Sequence, residues 1–304
     1  YINIELLFWY LKQSRARVVW TLHDCWPFTG HCVYFQSADC VKWKEGCFDC
    51  PLKRQYPASI FLDRSKINYQ KKKELFTGLQ NLTLLVPSVW MEEKVRQSFL
   101  RDYEIRVVYN GIDLKTYMPR QSDFRRRYGL ENRFLILGVA NVWEERKGLN
   151  TFLELAELLG EKYSVVLVGL NEEQIMKLPK GILGLPRTDT AVELAEIYTA
   201  ADVFVNPGRV ETFGLTVAEA MACGTWPVVF TQTACAEVVE RGTGQAVEGG
   251  VRELEKAIRE YREKGPAEDI EKYAEVFSRE QFGIQVLDAY MKSGREQTPE
   301  RRKP

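Results

Sequence analysis

The stretch Arg209-Val-Glu-Thr-Phe-Gly-Leu-Thr-Val-Ala-Glu-Ala-Met-Ala-Cys-Gly224 follows a strand-like run at residues 202–206 and holds two glutamates, Glu211 and Glu219, eight positions apart. A helix is predicted to begin near Leu215, and a helix N-terminus presents backbone N–H groups and a positive dipole end that suit a phosphate. Glu219 lies among small apolar residues, where an ionised carboxylate is costly unless it is paired. Because carboxylates accept hydrogen bonds from several O–H groups, the stretch predicts a loop and helix that hold a nucleotide sugar.

Strand-like and helix-like runs alternate on both sides of this stretch, which is typical of an α/β fold. The strand-like runs are continuously apolar, which favours a parallel sheet that is covered on both faces. They lie at residues 17–22, 82–86, 105–109, 134–139, 164–168, 203–205 and 228–230. Met118, Pro119 and the charged stretch 120–127 separate two groups of strands, so we predict a linker there.

A second loop, at residues 141–148, follows the predicted strand 134–139 and carries Arg146 and Lys147. Ligands of open α/β sheets bind at the carboxyl ends of strands, and fixed cations stabilise the charge of a departing diphosphate. We therefore predict that both cations face the diphosphate, with Lys147 the stronger candidate. The alternative is a solvated pair that the two preceding glutamates neutralise.

The predicted donor-binding residues come from these two loops. The carboxylates Glu211 and Glu219 are joined by Arg146, Asn141, Thr212, Phe213, Gly214 and Leu215. The sequence has no Asp-x-Asp pair of the kind that would hold a metal bridging the diphosphate. We therefore expect a donor site that requires no cofactor or metal for catalysis.

Composition and charge exclude several classes of function. The formal net charge is +0, which gives no indication of nucleic-acid binding. No apolar run is long enough to span a bilayer, no signal peptide is visible, and the P-loop of ATPases and kinases is absent. We expect a cytoplasmic protein, with peripheral contact at the inner face of the membrane as one option through the basic stretch Lys66–Lys73.

Five of the seven cysteines lie within residues 25–50, and four of them form the pattern Cys32-x7-Cys40-x6-Cys47-x2-Cys50. Four thiolates, two of them in a C-x2-C pair, are able to close a tetrahedral zinc site. Reduced cysteines that only fill a small core are the alternative, and the spacing does not decide between the two.

Several of these segments together resemble family 4 of the retaining nucleotide-sugar glycosyltransferases. Residues 211–224 resemble the family's E-x7-E signature, and four further segments match in the expected order: Val86-Pro-Ser88, Tyr109-Asn-Gly-Ile-Asp113, Arg146-Lys147-Gly148 and Tyr198-Thr-Ala-Ala-Asp202. The resemblance implies the GT-B architecture, with two Rossmann-like domains facing a cleft. It also implies that the first domain is incomplete at its N-terminus, because family members carry a glycine-rich loop and several strands before the first segment matched here.

The resemblance also implies domain limits and roles. We expect a partial acceptor-side domain at 1–118, a donor domain at 119–280, a crossover helix at 281–292 and a flexible tail at 293–304. His23 corresponds to the family's active-site histidine and, with Lys147 and Glu211, is a predicted catalytic residue. Asp24 and Ser88 are expected on the acceptor side.

The activity implied is retaining transfer from a UDP- or GDP-sugar to a saccharide or lipid-linked saccharide, in bacterial surface polysaccharide or glycoconjugate synthesis. The chain departs from the family where Val139, Ala140 and Asn141 follow Gly138, because an arginine often stands directly after that glycine. A nucleotide-sugar 2-epimerase on the same architecture is one alternative, although it would want more histidines than the two present. A non-catalytic sugar-binding or partner-binding fragment is the other.

Overall fold

The structure, a computed structural model, describes residues 2–59, 61–240, 243–265 and 270–292. The predicted tail at 293–304 lies outside the described residues. The chain divides into two compact units, the first made of residues up to Tyr109 together with those from Gly283 onward, and the second of Asn110–Phe282. The sequence-based boundary at residue 118 therefore lies inside the second unit.

The first unit is built on three parallel strands in the order β1-β2-β3: β1 (Val18–Thr21), β2 (Leu82–Val86) and β3 (Glu104–Val107). All five residues of β2 are buried, because it is the central strand and both of its faces are covered. The helices of this unit are α1 (Ile4–Gln13), α2 (Ser65–Phe76) and α3 (Val89–Arg96).

Between β1 and α2 the described residues form short 3₁₀ turns, at Trp26–Phe28, Phe35–Ala38 and Lys42–Lys44. Its aromatic residues build a small core. The rings of Phe35 and Trp43 stack with centroids 4.6 Å apart, and Phe28 packs on Trp43 at 5.3 Å.

The second unit holds a six-stranded sheet with parallel pairings throughout. Its strands are β4 (Phe134–Val139), β5 (Tyr163–Val168), β6 (Ile182–Leu185), β7 (Val203–Asn206), β8 (Trp226–Phe230) and β9 (Gln245–Val247). Its helices are α4 (Phe124–Arg127), α5 (Leu149–Leu159), α6 (Glu172–Met176), α7 (Ala191–Ala200), α8 (Leu215–Ala222), α9 (Cys235–Val239) and α10 (Val251–Lys264).

The strand order of this sheet is β6-β5-β4-β7-β8-β9. Counted within the unit, that is the 3-2-1-4-5-6 order of a Rossmann fold, in which the direction of winding reverses between the first and fourth strands. The predicted α/β class with parallel sheets is confirmed. The reversal lies between β4 and β7, so their carboxyl ends form the crevice where doubly wound sheets bind ligands.

Helix α11 (Arg279–Lys292) ends the described chain. In the second unit, Ile112 donates to the carbonyl of Phe277 at 2.7 Å, and Arg279 donates to the carbonyl of Ile112 at 3.0 Å. A Cβ atom on Gly111 would lie 2.8 Å from the Cα of Arg279, so only glycine permits this close approach. The division between the two units falls within α11, after Phe282.

Candidate functional site

The loops that follow β4 and β7 are joined by their backbones. Arg209 donates to the carbonyl of Arg146 at 3.1 Å. Gly148 has a φ of +79°, and a Cβ atom there would lie 2.7 Å from the side chain of Pro207. Glycine at 148 therefore lets the two loops meet at the crevice between β4 and β7.

An ion pair between Lys147 and Glu211 connects the same two loops, and it brings together two residues that the sequence predicted for the site. The Lys147 side chain is 25% exposed and that of Glu211 15%, which makes the pair more buried than the other ion pairs of the described residues. Arg146 lies alongside and bonds Glu144, with Nε 2.7 Å from the carboxylate. Lys147 therefore pairs with Glu211, and Arg146 pairs with Glu144.

Helix α8 begins beside this pair. Gly214 precedes it with a φ of +100°, and its carbonyl accepts from the amides of Val217 and Ala218. A Cβ atom on Gly214 would lie 2.6 Å from the sulfur of Cys235, so the helix start is held tightly against α9. The amides of Leu215 and Thr216 come before this ladder, at the positive end of the helix.

The predicted donor-binding residues around the helix start differ in exposure. Thr212 is half-buried and the Leu215 side chain is exposed. Phe213, in contrast, is buried and packs edge-on against Phe277 with ring centroids 5.5 Å apart. Because its side chain packs in the core of the unit, only the backbone of Phe213 is available to contact a ligand.

Glu219 lies one turn into α8 and contacts two tyrosines that the sequence reasoning missed. The Tyr198 hydroxyl donates to its carboxylate at 3.1 Å, and Tyr117 bonds the same group. Burial raises the pKa of Glu219 to about 7, and the two hydroxyl bonds oppose that rise. Tyr198 lies in α7 and belongs to a segment that matched the family, but nothing in the sequence signals that its hydroxyl meets Glu219.

The loop that carries the cations is anchored by Trp143. Its indole N–H donates to the carbonyl of Val168 at 2.9 Å, and its own carbonyl accepts from Gln174 at 2.9 Å. Asn141, which replaces the charged residue expected from the family, is exposed at the end of β4. Its position suits a polar contact, whereas the positive charge of the loop is supplied by Arg146 and Lys147.

The predicted acceptor-side residues all lie in the first unit, at the carboxyl ends of the neighbouring parallel strands β1 and β2. His23 is exposed just after β1. Asp24 accepts from the amide of Trp26 at 2.8 Å. Ser88 is buried and caps α3 by accepting from the amide of Met91 at 3.0 Å, so its hydroxyl already has a structural partner.

The basic stretch on α2 is less uniform than the sequence suggested. Lys72 is buried, donates to the carbonyls of Trp26 and Thr29 at 2.7 and 2.9 Å, and lies 3.6 Å from the Trp26 ring centroid. Burial lowers its pKa to about 7. Lys72 therefore does not contribute to a cationic surface, because it faces the interior one helical turn from the buried residues Tyr69 and Phe76. No helix of the described residues combines the length and apolarity that crossing a bilayer requires.

The four cysteines of the Cys32–Cys50 pattern line one small cavity together with Phe35, Trp43 and Pro51. Across residues 2–59, 61–240, 243–265 and 270–292, no set of three or more His, Cys, Asp or Glu side chains stands ready to hold a metal ion.

Comparison with known proteins shows which family and which relatives the chain is similar to. A family described as glycosyl transferases group 1 matches residues 133–263. The chain is 25% identical over 233 residues to the alpha-galactosylglucosyldiacylglycerol synthase of Streptococcus pneumoniae, covering 71% of this chain and 61% of that protein. It is 33% identical over 167 residues to the D-inositol 3-phosphate glycosyltransferase of Corynebacterium jeikeium, covering 48% of this chain and 38% of that protein.

Among solved structures, Anabaena HepE in complex with UDP superposes with a TM-score of 0.72 at 18% identity, covering 95% of this chain and 76% of that one. At this identity the likeness concerns the fold. The chain thus spans less than two thirds of the two curated relatives and most of the structural one.

Proposed function

We propose that the chain transfers a sugar from a nucleotide-sugar donor. Residues 133–263 match the glycosyl transferases group 1 family, and the fold is similar to that of HepE, in agreement with the predicted resemblance to family 4. The donor is a UDP- or GDP-sugar bound by the second unit. The acceptor is a saccharide or a lipid-linked saccharide.

The Lys147–Glu211 pair carries this proposal. It joins the loops after β4 and β7, where the strand order reverses, and it lies beside the start of α8. A cation, a carboxylate and a helix N-terminus then converge at the crevice that Rossmann sheets use for nucleotides. That HepE is found with UDP supports a uridine nucleotide as the first candidate.

Donor binding would change the partners of this pair. A diphosphate next to Lys147 offers that cation a stronger anionic partner than one carboxylate, because phosphate oxygens carry more charge. Glu211, once released, accepts hydrogen bonds from hydroxyls of the transferred sugar. Arg146 and the amides at the start of α8 add to the stabilisation of the leaving diphosphate.

For the chemical step we propose retention of the anomeric configuration without a protein nucleophile. The bond between the anomeric carbon and the diphosphate oxygen breaks, and the acceptor oxygen bonds that carbon from the same face. The acceptor proton passes to the departing diphosphate. Lys147 and Arg146 neutralise its charge, and His23 stays a proposed catalytic residue of the first unit.

The test is to incubate the chain with UDP- and GDP-sugars, with and without acceptor saccharides, and to measure released nucleoside diphosphate. We expect acceptor-dependent release that persists in a chelator, with an axial product from an axial donor by NMR. Conversion of one nucleotide sugar into its 2-epimer would replace the proposal by the epimerase alternative. Binding without release for every donor and acceptor pair would replace it by a binding function.

A further inference from the structure

The segment between β1 and α2, at residues 22–64, has a cluster of sulfur atoms that the donor site does not use. Four of its cysteines line one cavity of about 10 Å³, which is about the volume of one water-sized sphere. Phe35, Lys42 and Trp43 contribute to the same lining, so the four thiols are near neighbours. The space between them suits a single atom.

The backbone around these thiols is fixed in a way that would orient sulfur ligands. Gly30 donates its amide to the Cys47 sulfur at 3.1 Å, and the amide of Leu52 bonds the Cys50 sulfur. Amide hydrogen bonds to sulfur favour the thiolate form, and such outer contacts orient metal ligands. The Asp63 carboxylate accepts a hydrogen bond of 2.8 Å from the amide of Cys50.

Two of the four cysteines, Cys40 and Cys50, follow a residue with the same unusual backbone conformation. Asp39 and Asp49 have φ values of +45° and +44°, and each directly precedes a cysteine of the cluster. A left-handed residue other than glycine is uncommon and persists where its surroundings require it. The turn at Asp49 is further held by Lys42, which donates to the carbonyls of Phe48 and Asp49 at 3.1 and 3.0 Å.

Among the described residues of this segment the regular elements are three short 3₁₀ turns, and so long a run without helices or strands is uncommon in a compact domain and usually has a function. A bound ion would close loops that short-range hydrogen bonds alone leave weakly constrained.

We propose that Cys32, Cys40, Cys47 and Cys50 bind one Zn²⁺ ion as a structural tetrathiolate site. Four thiols release four protons and form four Zn–S bonds, and nothing is oxidised or reduced. The resulting site has two negative charges in excess of the ion, and Lys42 and Lys72 lie close enough to offset them. Loading requires the four sulfur atoms to move to metal-binding distances, since among the described residues they do not form a ready metal site.

The experiment uses the full chain, expressed with zinc and purified under reducing conditions. After gel filtration into metal-free buffer, zinc is measured by mass spectrometry. We expect one zinc per chain, and replacement by cobalt to give the sulfur-to-cobalt charge-transfer band of a tetrahedral thiolate site. Cys47→Ser and Cys50→Ser should lose the metal. Cys25→Ser is the matched control, because Cys25 is buried in the same segment but does not line the cavity.

A thiol count on the natural chain, purified in parallel without reductant, decides the matter even if a variant fails to fold. In denaturant with a chelator and no reductant, the zinc site gives seven reactive thiols, equal to all the cysteines of the chain. Negligible zinc with seven thiols would overturn the proposal in favour of simple packing. Negligible zinc with three thiols would overturn it in favour of two disulfides.

Discussion

Glu219→Gln tests the electrostatics of α8 by removing the titratable charge, while the amide oxygen still accepts hydrogen bonds. Folding raises the pKa of this carboxyl from 4.5 to about 7, chiefly through burial. A carboxyl with a raised pKa holds its proton more tightly in the native state than in the unfolded state. The contribution of Glu219 to the free energy of unfolding is therefore largest below pH 4.5, falls as the pH rises from 4.5 to 7, and stays low above pH 7.

The size of the effect follows from the same values. At about 1.4 kcal/mol per pH unit, ionising Glu219 costs the native state about 3 kcal/mol by pH 8. Glutamine does not titrate, so the free energy of unfolding of the variant does not include this loss. The stability of Glu219→Gln relative to the natural chain should rise by about 3 kcal/mol between pH 4.5 and pH 8, whatever constant offset the amide introduces.

The assay is urea unfolding followed by circular dichroism at several pH values, with variant and natural chain compared at each. Glu154→Gln, on the exposed face of α5, controls for the loss of one carboxylate. If the difference in unfolding free energy between the Glu219 variant and the natural chain is the same at pH 4.5 and pH 8, the carboxyl is not held in a buried site and the reasoning fails.

Three further changes have expected outcomes. Tyr198→Phe should lower the free energy of unfolding by about 1 kcal/mol at pH 8, because Glu219 loses a donor; an unchanged urea midpoint would contradict that contact. Gly138→Ala should cost about 1–3 kcal/mol, since the new Cβ would lie 2.4 Å from the ring of Phe152, and a variant as stable as the natural chain would show that the ring moves freely. The third change replaces three exposed lysines of α2, Lys66, Lys71 and Lys73, by glutamine. If the chain contacts membranes through this surface, its partitioning onto anionic vesicles at low salt should fall about 100-fold, because each lysine contributes about 1 kcal/mol. Equal flotation of the variant and the natural chain would rule out this surface.

Much of the fold could be predicted because its strands are long apolar runs. The sequence missed β6 and β9, and both have a physical reason. All four residues of β6 are half-buried at the sheet edge and include Gly184, so they lack the dense apolar pattern of a central strand. Strand β9 has only three residues, of which one is buried.

The site residues that lie on recognisable local segments could be predicted from the sequence. Lys147 and Glu211 stood on loops after strand-like runs, and the strand order places those loops side by side. The contacts of Glu219 with Tyr117 and Tyr198 join parts of the chain that no local pattern relates. Lys72 is different, because Tyr69, Lys72 and Phe76 repeat at helical spacing and the buried face of α2 could have been read from them.

Calorimetric titration with UDP, GDP and their sugars tests most directly whether the second unit binds a nucleotide-sugar donor. The natural chain should bind at least one of them at a single site, and Lys147→Met should weaken that binding at least tenfold because the diphosphate loses its cation. Lys177→Met, which removes an exposed ion pair from α6 in the same unit, should bind as the natural chain does. Binding that is equal in all three proteins, or absent from the natural chain for every nucleotide, would contradict the account.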